Sequence, residues 1–412
     1  MAPRLLALAA IALSGAACGG GSASPDAARD SPSPEAGACQ PLGVTGEFMR
    51  RPGNPRLLAG HVFSDGMLDK SISDPDLRFD DATATWQLYY ATSHAMTFAD
   101  PGTQMIRHAT SSDASAFAVA DAPALVASSD SGAWDHINTE TPSVAFNPDA
   151  DAAHRYLMVY SGAAQAFPFN GGPFANYAIG AAFSADGETF TRVAAADSPH
   201  GQDGLVLTGA DAYPGATGAI VADPEIVYLA GTYHLWFSSF ACEGTTCQTD
   251  LAFGVGHATS SDGIHWAVAE APVRSLLTAT IDPNSGGGQP SVLYDAAHCR
   301  WEMWLTADKA GDTASQPALF NNMAGVWHAT SMDGVTWHTE YTDQRDLTWS
   351  ATEPGEHLGL LTGADVGQQG TARFMVYVGF DDQNVPADFF VFDHSAQGFE
   401  PGVFALDVAA RN

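Results

Sequence analysis

The sequence predicts an all-β fold: a five-bladed β-propeller of four-stranded antiparallel blades. Three observations predict it. A short opening near a Pro or an Asp recurs five times, an aromatic-rich segment follows each opening, and most copies then reach a Ser-x-Asp-Gly turn. Self-similarity of this kind indicates repeated units that bury their faces against their neighbours. No long helical period interrupts the pattern, so five copies of a strand-only unit predict five blades.

The first element of each repeat is the opening, which we expect to begin the innermost strand of a blade. The five openings are Asp74-Pro75-Asp76-Leu77, Thr141-Pro142-Ser143-Val144, Asp223-Pro224-Glu225-Ile226, Gln289-Pro290-Ser291-Val292 and Ala364-Asp365-Val366.

The second element is an amphipathic strand rich in Tyr, Trp and Phe. Its copies lie at residues 86–93, 155–162, 233–240, 301–308 and 373–380. Alternation with a period of two, with aromatic side chains on one face, is typical of a strand packed against a neighbouring sheet. We therefore interpret these aromatic residues as packing between blades.

The third element contains the turn. Asp186-Gly187, Asp262-Gly263 and Asp333-Gly334 are hairpin signals, because a two-residue turn needs positive φ. A Phe or a Trp follows three residues after each Gly. We expect these aspartates to be structural, and we expect the same of three histidines that recur at one repeat position: His108, His257 and His328.

Composition limits the classes of partner. The chain has 412 residues, 45% of them hydrophobic, and a formal net charge of −31. That hydrophobic fraction is sufficient for a packed core. So acidic a surface repels phosphate backbones and anionic lipid headgroups, which argues against nucleic acid and against charge-driven membrane binding. A neutral ligand and a monomeric protein are expected.

The N-terminus has the pattern of a signal peptide, which we place at residues 1–17. Arg4 precedes an apolar stretch, and Gly15-Ala16-Ala17 leads directly into Cys18. This arrangement resembles a bacterial lipoprotein signal, in which that Cys is lipidated. Residues 18–45 then read as a flexible tether, and 46–412 as the propeller. The expected location is extracytoplasmic, with membrane attachment only through the lipid. Ordinary secretion is the alternative.

The other four cysteines suit an oxidising compartment. Cys242 and Cys247 flank a short Gly-containing loop, so we predict a local disulfide between them. Cys39 and Cys299 would form the second bridge. Zinc binding is the weaker interpretation, because the cysteines do not form paired Cys-x-x-Cys motifs.

Candidate functional residues lie at the openings. The innermost strands of a propeller line its axis, so their first residues converge on one mouth of the channel. Asp74, Asp223 and Glu140 are the candidate catalytic carboxylates, since glycoside hydrolysis needs one group to protonate the leaving oxygen and another to activate water or attack. We expect Asp76 and Glu225 to face elsewhere. Capping of turns is the structural alternative for each carboxylate.

Together, the five repeats, the Asp-Pro and Glu-x-Pro openings and the Ser-x-Asp-Gly-x-x-Trp hairpins resemble the five-bladed glycoside hydrolases of families 43 and 32. The resemblance covers nearly all of residues 73–408. It implies that Asp74 is the general base or nucleophile, that Asp223 tunes pKa values and orients the substrate, and that Glu140 is the general acid. It also implies a neutral oligosaccharide or polysaccharide as substrate.

This chain departs from those families in two ways. In those families the general-acid Glu follows both aspartates in the chain, whereas Glu140 lies between Asp74 and Asp223. Gln289 stands at the opening where the family's chain order would place that Glu. The fifth opening also lacks a His found beside a bound cation in many family 43 members. A carbohydrate-binding propeller without turnover is therefore the second hypothesis. A sialidase-like enzyme is the third, but an arginine cluster for the substrate carboxylate is not evident at the openings.

Further residues are expected to bind substrate around the mouth. Trp134 and His136 precede Glu140, Gln289 lies in the fourth opening, and Phe174 and Tyr177 belong to an aromatic, Gly-rich connection. Sugar rings stack on exposed aromatic faces in such loops. No cofactor is required by this chemistry, although a structural cation, such as calcium, has room in the central channel of this architecture.

Overall fold

A computed structural model describes residues 48–52, 57–58, 61–67, 69, 71–93, 104–164, 177–214, 219–242, 251–269, 288–306, 325–339, 347–348, 361–380 and 404–411. The chain divides into two units, Met1–Cys39 and Gln40–Asn412. The first unit lies outside the described residues, so the predicted signal peptide and the tether remain predictions.

Most of the described residues lie in β-strands. Two short strands come first, β1 (Met49–Arg50) and β2 (Leu57–Leu58). Five groups follow in chain order. The first group is β3 (Ser71–Asp80), β4 (Thr85–Ser93), β5 (Gln104–Ser111), β6 (Ala118–Val119) and β7 (Leu125–Val126). The second is β8 (Asn138–Phe146), β9 (Tyr156–Ala163), β10 (Ala178–Ser184), β11 (Thr191–Arg192) and β12 (Leu205–Leu207).

The third group is β13 (Ile220–Leu229), β14 (Thr232–Cys242), β15 (Leu251–Ser260) and β16 (Ala267–Val268). The fourth is β17 (Gly288–Asp295), β18 (Arg300–Thr306), β19 (Gly325–Ser331), β20 (His338–Thr339) and β21 (Leu347–Thr348). The fifth is β22 (Leu361–Gln369), β23 (Ala372–Phe380) and β24 (Phe404–Arg411). A 3₁₀ turn (Ala152–His154) and a single α-helical turn, α1 (Gly209–Ala212), also occur. No helix in the described ranges is long and apolar enough to cross a membrane.

These groups form five antiparallel sheets, each with a path of four strands and, in four of them, one further short strand. In the fifth sheet β1 pairs with β24, with Met49 opposite Ala410, so a strand from the beginning of the chain completes the last sheet. The first strands of the sheets contact one another in a closed ring: β3 with β8, β8 with β13, β13 with β17, β17 with β22 and β22 with β3. The predicted all-β propeller of antiparallel sheets is confirmed.

The core lies between the sheets and is rich in aromatic residues, as the alternation predicts. Trp236 of β14 packs against Trp301 of β18 with ring centroids 5.1 Å apart, and both are buried. Trp337 adds a third ring to this contact between the third and fourth sheets. Each such ring removes a large apolar area from water, so these contacts contribute a major share of the stability.

The Ser-x-Asp-Gly turns have the structural role predicted for them. In the third sheet Asp262 Oδ1 accepts backbone N–H bonds from Ile264 (2.8 Å) and His265 (2.9 Å), and the Ser260 hydroxyl donates to the same carboxylate (2.9 Å). Gly263 adopts φ of +75°, which L side chains rarely adopt. The recurring histidines stack on aromatic rings of the adjacent strand, as His328 does on Trp304 (6° between planes), so they too are structural.

Candidate active site at the propeller axis

Each innermost strand carries one β-bulge near its start, and the bulge residue has a left-handed backbone. The five residues are Asp74 (φ 49°), Thr141 (46°), Asp223 (47°), Gln289 (51°) and Gly363 (55°). The strand pairing shifts register at the same places, for example between Ser73 and Asp76. In four sheets a Pro follows, which suits a bulge because Pro has no N–H to pair. The X-Pro signal in the sequence is thus the signature of this bulge.

The bulges bring residues from all five sheets to one small depression at the axis. Its lining is Asp74, Pro75, Thr141, Pro142, Asp223, Pro224, Glu225, Gln289, Pro290, Gly363, Ala364 and Asp365. No Lys, Arg or His is among these lining residues. Residues far apart in the sequence therefore converge, and the surface that they present is acidic.

Asp74 is held by residues of two sheets. It accepts a hydrogen bond from the Ser73 hydroxyl (2.6 Å), and Gln289 Nε2 lies 3.5 Å from its Oδ1. The side-chain oxygen of Gln289, Oε1, accepts a hydrogen bond from the Gly363 N–H (3.0 Å), so this side-chain amide bridges the first and fifth sheets. Gln289 thus contacts a carboxylate of the site.

Glu140 lies immediately before the bulge of the second sheet. Burial, followed by the charge of Asp74, raises the pKa of Glu140 to about 8, although hydrogen bonds from Tyr177 and Gln104 act in the opposite direction. Burial and Asp74 raise the pKa of Asp223 to about 7, and burial raises that of Asp74. The three carboxyls therefore interact, and Glu140 holds its proton at neutral pH.

A second layer of carboxyls lies two residues further along three strands. Asp76, Glu225 and Asp365 are buried, and they offer oxygen atoms within 4.8 Å of one another. Burial and the proximity of Asp365 raise the pKa of Asp76 and of Glu225, and burial raises that of Asp365 to about 6. The expectation that Asp76 and Glu225 face elsewhere was wrong, because both direct their carboxyls into this cluster with Asp365.

This second layer also joins the five sheets to one another. At each sheet a side-chain oxygen accepts a backbone N–H from the next sheet. The pairs are Asp76 with Val144 (3.2 Å), Ser143 with Ile226 (3.1 Å), Glu225 with Val292 (3.0 Å), Ser291 with Val366 (3.0 Å) and Asp365 with Leu77 (2.5 Å). We call this set the axial ring. Three carboxylates with nearby hydroxyls are a donor set that suits a hard divalent cation, so the axial ring is where the protein could hold one.

The other predicted site residues lie in different surroundings. Tyr177 contacts Glu140. Trp134 is only 8% exposed, stacks on Tyr160 and donates its N–H to the Asp203 carbonyl (2.9 Å), so it offers little face to a ligand. His136 Nδ1 lies 3.1 Å from the Ala133 carbonyl oxygen. Phe174 lies outside the described residues.

The cysteine predictions fall mostly outside the described side chains. Cys18, Cys39 and Cys247 are not described, and only the backbone of Cys242 is. Cys299 is disulfide-bonded, but no described residue identifies its partner. Both pairings therefore remain predictions.

Sequence reasoning missed several residues of this site. Asp365 belongs to the fifth opening, which has no Pro, although its position in the repeat matches those of Asp76 and Glu225. Gln104 and Asn138 were not singled out, because an amide at the start of a strand has no distinctive pattern. Only the fold brings them to Glu140.

Solved structures of similar fold include glycoside hydrolases and an enzyme in complex with a trisaccharide. The protein is 13% identical to BT0996 in an RGII complex, with a TM-score of 0.59 over 88% of its own length and 92% of the other. It is 15% identical to an N-acetylgalactosamine deacetylase from F. plautii in complex with blood group B trisaccharide (TM-score 0.55; 89% and 95%). It is 12% identical to Zg3597, a family 117 glycoside hydrolase from Zobellia galactanivorans (TM-score 0.53; 89% and 90%).

At these identities the similarity establishes the fold. No protein-family model matches the sequence, and no curated protein matches it either.

Proposed function

We propose that the protein is an extracytoplasmic glycoside hydrolase that acts on a neutral oligosaccharide or polysaccharide. One observation carries the proposal: Asp74 and Asp223 line the depression at the axis, and Glu140 of a third sheet interacts with both and has a pKa of about 8. A group that is protonated at neutral pH beside groups that ionise more readily is the arrangement that acid-assisted cleavage of a glycosidic bond requires.

In the proposed reaction Glu140 donates its proton to the glycosidic oxygen as the bond from that oxygen to the anomeric carbon breaks. Asp74 either attacks the anomeric carbon or removes a proton from the attacking water. Asp223 adds negative charge that favours the protonated form of Glu140, since charges of the same sign raise a carboxyl pKa. No Lys, Arg or His is among the described residues that line the depression, which supports a neutral sugar and opposes the sialic-acid alternative.

The experiment is a broad screen of aryl glycosides and oligosaccharides with the wild-type protein and three variants. We expect Asp74→Asn to lose activity at least about 1000-fold on every substrate, because an amide is neither a base nor a nucleophile. Glu140→Gln should lose activity on poor leaving groups and retain it on activated aryl glycosides, which need little protonation. Asp223→Asn should reduce activity to a smaller extent. Asp81→Asn, in an exposed turn, is the matched control and should leave the rates unchanged.

Glycan binding without turnover is the second candidate function. Gln289 favours it, because an amide stands where the family 43 and 32 resemblance would place the acid. Binding of glycans by a wild-type protein that hydrolyses nothing in the screen would reject the hydrolase and establish this alternative. Release of acetate from acetylated sugars is assayed in the same screen, and turnover there would also contradict the proposal.

We also propose that lipidation of Cys18 attaches the protein to a membrane. Metabolic labelling with a palmitate analogue should mark the wild type and not Cys18→Ser. An unlabelled wild type would favour ordinary secretion instead.

A further inference from the structure

Glu140 is surrounded by hydrogen-bond donors from three different strand ends. Gln104 is the first residue of β5, Asn138 is the first residue of β8, and Tyr177 directly precedes β10. The Tyr177 hydroxyl and the Gln104 side chain are hydrogen-bonded to the Glu140 carboxyl. Asn138 Nδ2 donates in turn to the Tyr177 hydroxyl over 2.8 Å. The acid of the proposed mechanism therefore sits in a network that reaches from the first sheet to the second.

Both amides act only as donors in this network, and this arrangement has an energetic cost. Asn138 and Gln104 are both more than 90% buried. Their side-chain oxygens, Asn138 Oδ1 and Gln104 Oε1, have no hydrogen-bond partner among the described residues. A buried acceptor without a partner costs about 1–3 kcal/mol. Each amide thus turns its N–H groups towards Tyr177 or Glu140 and leaves its oxygen unpaired. Buried polar atoms without a hydrogen-bond partner are expected mainly at functional sites.

We propose that Tyr177, oriented by Asn138, and Gln104 are positioning residues for Glu140, which fix the orientation of its carboxyl and stabilise its ionised form. A general acid must become an anion when it gives up its proton, and donors aimed at the carboxyl favour that anion. They oppose the other groups that face Glu140, namely the carboxylates of Asp74 and Asp223, which favour the protonated form together with burial. The balance keeps the acid protonated yet able to transfer its proton.

The proposal predicts how Glu140 titrates when one donor is lost. Tyr177→Phe removes the hydroxyl, so the pKa of Glu140 should shift upwards from about 8. Gln104→Met removes the second donor and should shift the pKa in the same direction. Because this substitution also removes an unpaired buried oxygen, we expect the free energy of unfolding to change little. A purely structural network would instead lose stability and leave the titration unchanged.

The experiment follows the side-chain carboxyl carbon of Glu140 by ¹³C NMR across pH in protein labelled at glutamate, with Glu140→Gln used to assign the signal. Tyr228→Phe is the matched control, since it removes a Tyr–Asp hydrogen bond (2.9 Å, to Asp149) at the other end of β13. An unchanged Glu140 titration in both Tyr177→Phe and Gln104→Met would overturn the proposal, and so would an equal shift in Tyr228→Phe.

The catalytic consequence rests on the proposed function, and the titration does not. If the protein is a hydrolase, Tyr177→Phe should lower kcat about tenfold for poor leaving groups and much less for activated aryl glycosides, with KM nearly constant. A shifted titration in a protein that hydrolyses nothing would reject the hydrolase and retain the network. Hydrolysis with no effect of Tyr177→Phe on titration or leaving-group dependence would reject the network alone.

Discussion

Four residues other than glycine adopt a left-handed backbone at the axis, and together they build the site. Asp74, Thr141, Asp223 and Gln289 have φ between 46° and 51°. Such a conformation costs an L residue about 1–2 kcal/mol. All four residues line the depression at the axis. At the scale of the residue, the location of the strain coincides with the location of the proposed chemistry.

Two exposed turns away from the depression contain the same backbone strain, and substitution there should change the free energy of unfolding. Ala84 (φ 53°) and Ala230 (φ 50°) are exposed alanines in the hairpins after β3 and β13. We expect Ala84→Gly and Ala230→Gly each to raise the free energy of unfolding, by up to about 1 kcal/mol, because glycine adopts positive φ without a Cβ clash. Urea unfolding curves measure the change.

The control for this prediction lies in the same hairpin. Ala82 is exposed and has no positive φ, so Ala82→Gly should lower the free energy of unfolding through the greater entropy of the unfolded chain. Loss of stability in all three variants would show that the turns are not strained.

At the scale of the element, a turn of one sheet is fixed to a strand of the preceding one. The Tyr89 hydroxyl of β4 donates to the Gly187 carbonyl of the second sheet (2.6 Å), and Trp236 Nε1 of β14 donates to the Gly334 carbonyl of the fourth (2.9 Å). In both cases the acceptor is the glycine of a Ser-x-Asp-Gly turn. The motif therefore folds its own hairpin and also positions the next sheet, which explains why it recurs with the repeat.

Adjacent tyrosines of β4 allow this inter-sheet bond to be tested. Both Tyr89 and Tyr90 are fully buried, but the Tyr90 hydroxyl has no partner among the described residues. Tyr89→Phe should lower the free energy of unfolding by about 1–3 kcal/mol, because the Gly187 carbonyl is left buried and unpaired. Tyr90→Phe should be neutral or stabilising. Equal effects of the two substitutions in denaturant unfolding would contradict the proposed bond.

At the scale of the whole molecule, the repeat predicted the architecture because each opening, aromatic strand and turn has a local physical cause. The openings correctly placed Asp74 and Asp223 at the axis. Pattern alone could not place Asp365 in the axial ring or Gln104 beside Glu140, because those contacts join residues of different sheets. Trp134 shows the converse limit: an aromatic residue before Glu140 suggests a binding surface, and only packing reveals that Tyr160 covers it.

The buried carboxyls of the axis also make the stability of the molecule depend on pH. Asp365, Asp223 and Glu140 have pKa values raised to about 6, 7 and 8, so the folded state binds protons more tightly than the unfolded chain does. The contribution of these three groups to the free energy of unfolding is greatest below the ordinary carboxyl pKa values. It falls as the pH rises through their raised pKa values. Asp262 and Asp333, with pKa values lowered to about 2, lose their stabilising effect only in stronger acid.

We therefore expect the free energy of unfolding, measured by urea titration in the presence of a chelator, to be lower at pH 8 than at pH 5 by on the order of 2 kcal/mol. Asp365→Asn should reduce this difference, because the amide oxygen can still accept the Leu77 N–H but carries no charge. Asp81→Asn, in an exposed turn, should leave the difference between pH 5 and pH 8 unchanged.

Added calcium should raise the free energy of unfolding at pH 8 in the wild type more than in Asp365→Asn, since a cation would offset the same repulsion within the axial ring. Stability that stays constant or rises between pH 5 and pH 8 under chelation would show that the axial carboxyls do not oppose folding when they ionise.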